Sequence, residues 1–286
     1  MIYFHRSYNI FFFDNSMRGY NQRPMRNIGI VLGILFLSVL FSCGKSMKKR
    51  AEEKLNLAVS VCEKGDSLTA LIQLDSIHVL YPEAVEAIGK AKAASGKIYS
   101  EFLFRKQSQL DKLFERLNEL EIMFTKEKTE YDQYTQFIHK MQNSDRRLNH
   151  SFIQLHLDER GELFISSNYY GDQWLNHIGL RVYDGVFQAK TDSVPLTDPN
   201  NRQSEFMDTH WEKVNYLNGK DNGVIQFIAD NAERNLKAVF LGKRMYFIVL
   251  EPFDKQAVKD ALALSNALKL KIQLEKEIRQ LQSKVK

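Results

Sequence analysis

Residues able to do chemistry are few and scattered. Beyond His5, the histidines are His78, His139, His150, His156, His177 and His210, and they share no ligand spacing. His156 and Asp158 stand two apart, which puts both on one face of a strand. A solvent-facing pair accounts for that as well as a metal ligand pair does. The sequence contains no HExxH, no paired CxxC, no GxSxG and no glycine-rich phosphate loop between a strand and a helix, so it names no catalytic residue, metal or cofactor. A hydrolase built on two carboxylates from distant strands stays open, because Asp and Glu are plentiful after residue 150. The one cluster that stands out is Tyr169, Tyr170, Asp172, Trp174 and His177. Aromatic faces give contact area at low entropic cost, so Tyr169, Tyr170, Trp174 and His177 form a candidate binding surface for a sugar or a protein. The alternative is that Tyr170 and Trp174 fill a β-domain core.

The two cysteines, Cys43 and Cys62, have different surroundings. Cys62 follows Leu57, Val59 and Val61 in a helical pattern and reads as a small buried hydrophobe. Cys43 closes the stretch MRNIGIVLGILFLSVLFSCGK from Met25 to Lys45. There Arg26 precedes 14 largely apolar residues, Ile28 to Phe41. A membrane-spanning helix needs about 20, so the run is short for an anchor. Leu40, Phe41, Ser42 and Cys43 resemble the end of a bacterial lipoprotein signal peptide. The resemblance implies cleavage before Cys43, acylation of its thiol and usually of its new amine. Phe41 is bulkier than the usual residue two before the Cys. An uncleaved anchor is the competing reading. Residues 1–24 serve neither; translation from Met25 would dispense with all of them, and from Met17 with most. With Cys43 acylated, Cys62 has no partner for an intramolecular disulfide.

Charge argues against nucleic acid as a partner. Lys and Arg number 40, Asp and Glu 35. Residues 1–42 hold Arg6, Arg18, Arg23 and Arg26 against Asp14, which leaves 36 basic and 34 acidic residues from Cys43 onward. A nucleic-acid binder shows a clustered basic face, and only short runs occur here. One of them, Lys48-Lys49-Arg50, would lie at lipid headgroups and reinforce acyl attachment.

The elements that must position these residues fall into four regions after the signal. Residues 43–96 hold the lipid site and a helical hairpin: a helix from Ser46 to about Glu63, a Gly65-Asp66 break, and a helix from about Ser67 to Leu80 closed by Pro82. Leu57, Ala58, Ala70, Leu74, Ile77 and Pro82 resemble one tetratricopeptide repeat, with Lys54 and Val61 where large aromatics are usual. One repeat makes no solenoid. Residues 97–150 read as one long helix with a heptad seam through Tyr99, Leu103, Leu110, Leu113, Leu117, Leu120, Phe124, Tyr131, Tyr134, Ile138, Met141 and Leu148. At 1.5 Å per residue it would reach roughly 75 Å. Residues 151–252 switch to period-two alternation and read as seven short strands, among them a hairpin turning at Asp158-Glu159-Arg160-Gly161 and a run from Gly223 to Ala229, in a small sandwich or barrel. Residues 253–286 return to a helical seam through Ala257, Leu264, Ala267, Leu274, Ile278, Leu281 and Val285.

The expected fold class is therefore α+β: hairpin, coiled-coil stalk helix, all-β domain, and a C-terminal helix packed antiparallel on the stalk. A parallel homodimer through the stalk is the competing arrangement. The order of parts resembles, in architecture only, the hairpin arms of periplasmic adaptors. The expected role is a structural or adaptor lipoprotein of the cell envelope, not an enzyme, holding membrane lipid through Cys43 and meeting an envelope protein. A glycan- or peptidoglycan-binding lipoprotein is the alternative. Gly44 after the Cys, where the known sorting rule places Asp for inner-membrane retention, implies the periplasmic face of the outer membrane.

Overall fold

A computed structural model describes residues 47–142 and 149–285. The signal segment, Cys43, and Leu148 of the expected seam lie outside the described residues. The chain divides into a unit ending at Ser95 and a unit from Gly96 to Lys286. The class is α+β, with antiparallel sheets throughout.

The first unit is helical. Helix α1 occupies residues 47–63. It stops where Gly65 takes φ +94°, a left-handed conformation that suits glycine. Asp66 caps helix α2 (Ser67–Leu80) by accepting from the Thr69 amide at 3.0 Å. Pro82 follows the end of α2 and cannot continue it. Helix α3 (Val85–Glu121) then begins and passes through Gly89 and Gly96. The packing face of α1 is Ala51, Leu55 and Ala58, spaced by four and three. Leu57, expected on that face, is exposed, and Cys62 is half-buried beside Ser67. On α2 the buried stripe is Ala70, Leu71, Leu74 and Ile77.

In the second unit the expected helix over 97–150 is corrected. Helix α3 ends at Glu121, and the chain turns into β1 (Phe124–Glu127) and β2 (Gln136–His139), an antiparallel hairpin registered Phe124 to His139. The hairpin loop is tied by Asp132, whose carboxylate accepts from the Thr129 amide and hydroxyl. The β-domain thus opens at Phe124, not at residue 151. A short 3-10 turn (Lys140–Gln142) follows.

Strands β3 (Phe152–Asp158) and β4 (Leu163–Gly171) form the expected hairpin around Asp158 to Gly161. Strands β5 (Gly179–Tyr183) and β6 (Gln188–Lys190) come next. Then come β7 (Asn201–Phe206) and β8 (Thr209–Tyr216). Of residues 223–229, expected as a strand, Gly223 caps and the rest lie in helix α4 (Val224–Asp230), which buries Val224, Ile225 and Ile228 at helical spacing. The last strands are β9 (Lys237–Leu241) and β10 (Met245–Val249). The six-stranded sheet runs β1-β2-β3-β4-β8-β7 and the four-stranded sheet β10-β9-β5-β6. One core draws on both: Ile153, Ile165, Val214 and Tyr216 from the larger sheet, and Leu180, Val182, Ala238 and Phe240 from the smaller.

Helix α5 (Pro252–Val285) closes the unit and serves two cores. Val258 enters the core shared by both sheets, while Ala261, Leu264, Ala267, Leu268 and Leu274 join Leu113 and Leu117 of α3 and Phe124, Phe137 and Leu157 of the strands. Contacts between α3 and α5 fall in reverse order along the two helices. Tyr99 meets Lys284, Lys106 bonds Glu277 at 2.7 Å, and Phe114 lies under Lys271. Ser265 of α5 donates to the Gly161 carbonyl at 2.6 Å, pinning the β3–β4 turn.

Candidate functional site

The aromatic cluster read from the sequence is not one surface. Along β4, alternate residues face opposite sides of the sheet. Tyr169 points into the core, is 7 % exposed, and packs edge-on against Tyr246. Tyr170 points the other way and packs against Trp211 of β8. Trp174 lies in the β4–β5 loop with its ring edge-on to His210, whose strand neighbour Trp211 is on Tyr170's side. His177 is fully buried. Tyr169 and His177 are therefore core residues. Tyr170 and Trp174 are half-buried, attached to opposite faces of one sheet.

Beneath that loop lies a polar chain for which no motif signals. Glu212 stands on β8 at a core-facing position, in line with Val214 and Tyr216, and is 1 % exposed. Its carboxylate accepts from the backbone amides of Leu175 (2.7 Å), Asn176 (2.7 Å) and His177 (2.8 Å), and from His177 Nδ1 at 2.7 Å. Burial pushes the Glu212 carboxyl up. The hydrogen bonds from His177 and from the amides outweigh this and hold it below its ordinary value. His177 Nε2 meets Ser167 Oγ at 2.8 Å, and Ser167 Oγ meets the Tyr216 hydroxyl at 2.9 Å. Burial pushes the Tyr216 phenol up, so it stays protonated. With Nδ1–H committed to the carboxylate, a neutral His177 accepts from Ser167 at Nε2, and Ser167 accepts from Tyr216. Phe240 stacks on the imidazole, centroids 5.2 Å apart.

Carboxylate, imidazole and hydroxyl stand in the order of a nucleophilic triad. Ser167 and His177 are both 0 % exposed, however, and the hydroxyl is held on its second side by Tyr216. A reacting carbonyl has no room beside it. The arrangement works on the backbone instead. Glu212 fixes the amides of Leu175, Asn176 and His177. Asn201 Nδ2 donates to the carbonyls of His177 and Val194, and Val194 N–H donates to Ile178 O. The β4–β5 loop is thereby locked from the inside, with Asp172, Gln173 and Trp174 on its outer rim.

A second buried imidazole, His139, closes β2. Its Nδ1 accepts from the Met141 amide, so a neutral ring carries its proton on Nε2, which donates to Asp260 of α5 at 3.2 Å. Burial lowers the His139 pKa, and Asp260 offsets that only in part. Among the described residues, no group of three or more His, Cys, Asp or Glu could hold a metal ion. No helix among them is long and apolar enough to cross a membrane.

No protein-family model, curated protein or solved structure matches this chain.

Proposed function

We propose that this chain is an envelope lipoprotein acting as an adaptor: Cys43 carries lipid, α3 and α5 form a coiled-coil spacer, and the β-domain offers the 172–178 loop to a protein partner. Its β-domain is read as a two-sheet sandwich, and its location as the periplasmic face of the outer membrane. The observation that carries the adaptor reading is the clamp at Glu212. A buried carboxylate with its hydrogen bonds aimed at consecutive amides of one loop preorganises that loop, and preorganisation lowers the entropic cost of binding. The Trp174–His210 pair is what the locked loop presents, with an aromatic face and polar neighbours Asp172 and Gln173.

In-cell photo-crosslinking from Asp172, beside Trp174, tests the partner. A reproducible protein adduct, lost when Trp174→Ala is combined with the probe, supports the adaptor. Adducts to cell-wall glycan alone favour the glycan-binding reading, for which the Trp174 ring and its amide and carboxylate neighbours are also suited. Intact mass of the protein with and without Cys43→Ser tests the anchor: the native chain should carry acyl mass that the variant lacks.

A further inference from the structure

The four-stranded sheet has a second face, outside the shared core, on which Val239 at the centre is buried and the edge strand β10 is exposed. Register assigns it directly. Leu180, Val182, Ala189, Ala238, Phe240 and Ile248 turn inward to the shared core. The alternate positions turn outward: Gly179, Arg181 and Tyr183 on β5, Gln188 and Lys190 on β6, Lys237, Val239 and Leu241 on β9, and Met245, Phe247 and Val249 on β10. None of these outward positions is a carboxylate, and Arg181, Lys190 and Lys237 are cationic.

The apolar members on β10 protrude, while Val239 of β9 is buried. Met245 is 71 %, Phe247 63 % and Val249 54 % exposed. Lys237 lies over the Phe247 ring at 5.9 Å and Arg181 over the Tyr183 ring at 5.3 Å, so cations and apolar groups are interleaved. Among the described residues Arg181 Nε is buried without a hydrogen-bond partner. Asp184, at the end of β5, is already ion-paired with Arg234 and bonded to the Val186 and Phe187 amides. The face therefore keeps its positive sign.

Protruding aliphatic and aromatic side chains among cations with no carboxylate are the chemistry of an anionic lipid surface. We infer that this face docks on anionic phospholipid, with Met245, Phe247 and Val249 entering the headgroup boundary and Arg181, Lys190 and Lys237 meeting phosphates. The inference rests on the lipid-anchored reading only for what brings a bilayer near. Charge complementarity across the whole face favours a lipid plane over a single peptide strand, which would pair with β10 alone and leave Arg181 and Lys190 unmatched.

The test uses the whole chain reconstituted in vesicles, with an environment-sensitive fluorescent amino acid replacing Met245, and a control probe replacing Ser204 on β7. With about one-third phosphatidylglycerol in phosphatidylcholine, the emission at 245 should shift to the blue and return in high salt, while 204 stays water-like. Pure phosphatidylcholine should give no shift. Arg181→Glu with Lys237→Glu should lower the docked fraction at least about tenfold, since each lost basic contact is worth about fivefold. Phe247→Ser should lower it with the charges intact. A water-like probe at 245 on phosphatidylglycerol vesicles, in protein whose circular dichroism is native and whose mass shows acylation, overturns the inference and leaves the anchor standing. Missing acyl mass sinks the anchor, and the probe on the same chain mixed with vesicles still decides the face. A shift with polyglutamate but not with phosphatidylglycerol overturns it in favour of an acidic protein.

Discussion

Replacing Glu212 by Ala should be among the most damaging single changes in the β-domain. The carboxylate accepts from the amides of Leu175, Asn176 and His177 and from the His177 ring, on a residue 1 % exposed. Hydrogen bonds to a charged group contribute about 1.5–3 kcal/mol each. A simple sum overshoots, because removing the carboxylate also removes its own desolvation cost. Breaking a buried charged arrangement by deleting one partner costs about 3–5 kcal/mol, which is the expected loss. In a domain of this size each kcal/mol corresponds to roughly 2–4 °C, so the Tm should fall by about 6–20 °C. Glu212→Gln keeps the shape and one carbonyl oxygen, but sets an amide donor against the His177 N–H and should cost about 1–3 kcal/mol. Urea melts followed by tryptophan fluorescence report directly, since Trp174 and Trp211 flank the site. Hydrogen exchange should quicken first at the amides of 175–177. A loss below about 1 kcal/mol for Glu212→Ala would refute the claim that this carboxylate locks the loop.

His139 gives the fold a pH dependence. Burial depresses its pKa below the ordinary 6.5, so the unfolded chain takes up the proton first as pH falls. Stability from this residue is full above about 6.5 and declines as pH drops toward the depressed value. His139→Gln should flatten that decline in urea melts at pH 7 and pH 5. Gly161→Ala should destabilise the β3–β4 turn by about 2 kcal/mol or more. Its φ is +80°, and an added Cβ would meet the Ser265 carbonyl oxygen at 2.7 Å. Thermal melts of the variant against Ser265→Ala would separate the clash from the lost hydrogen bond. Leu264→Ala, at a position 0 % exposed, should cost about 2–5 kcal/mol. Lys106→Ala breaks a half-exposed pair with Glu277 and should cost no more than about 1 kcal/mol.

Helix α5 could be read closely from sequence, because its apolar seam is long and Pro252 marks the start. The end of α3 could not. The seam runs on through Phe124, Tyr134 and Ile138, and no Gly or Pro breaks it before residue 148. Strands β1 and β2 are four residues each, too short to establish a period of two. The start of α3 was hidden for the opposite reason, since Gly89 and Gly96 look like interruptions, yet an interior glycine only weakens a helix by about 1 kcal/mol and α3 runs through both. Helix α4 reads as a strand because a short apolar run fits both periods. The Glu212 site had one overlooked signal: in Trp211-Glu212-Lys213-Val214-Asn215-Tyr216 the alternation sends a carboxylate inward with Val214 and Tyr216. An inward Glu demands buried donors. Its donors lie some 35 residues away across another strand, and no local pattern identifies them. The aromatic cluster was split because proximity along β4 says nothing about side: Tyr169 and Tyr170 are adjacent in sequence and opposite in space.

Helix α5 also sets when the second unit can form. The residues it contributes to both cores come from the end of the chain, while their partners were made long before: Ser265 holds Gly161 across 104 positions, and Glu277 reaches back to Lys106. Neither core is complete until α5 has been supplied, so the strands must wait with apolar surface uncovered. Such long-range closure slows folding. A chain cut short before Leu264 should therefore fail as a whole, with no partly working β-domain left behind, and during synthesis the unit gains its stability late and all at once.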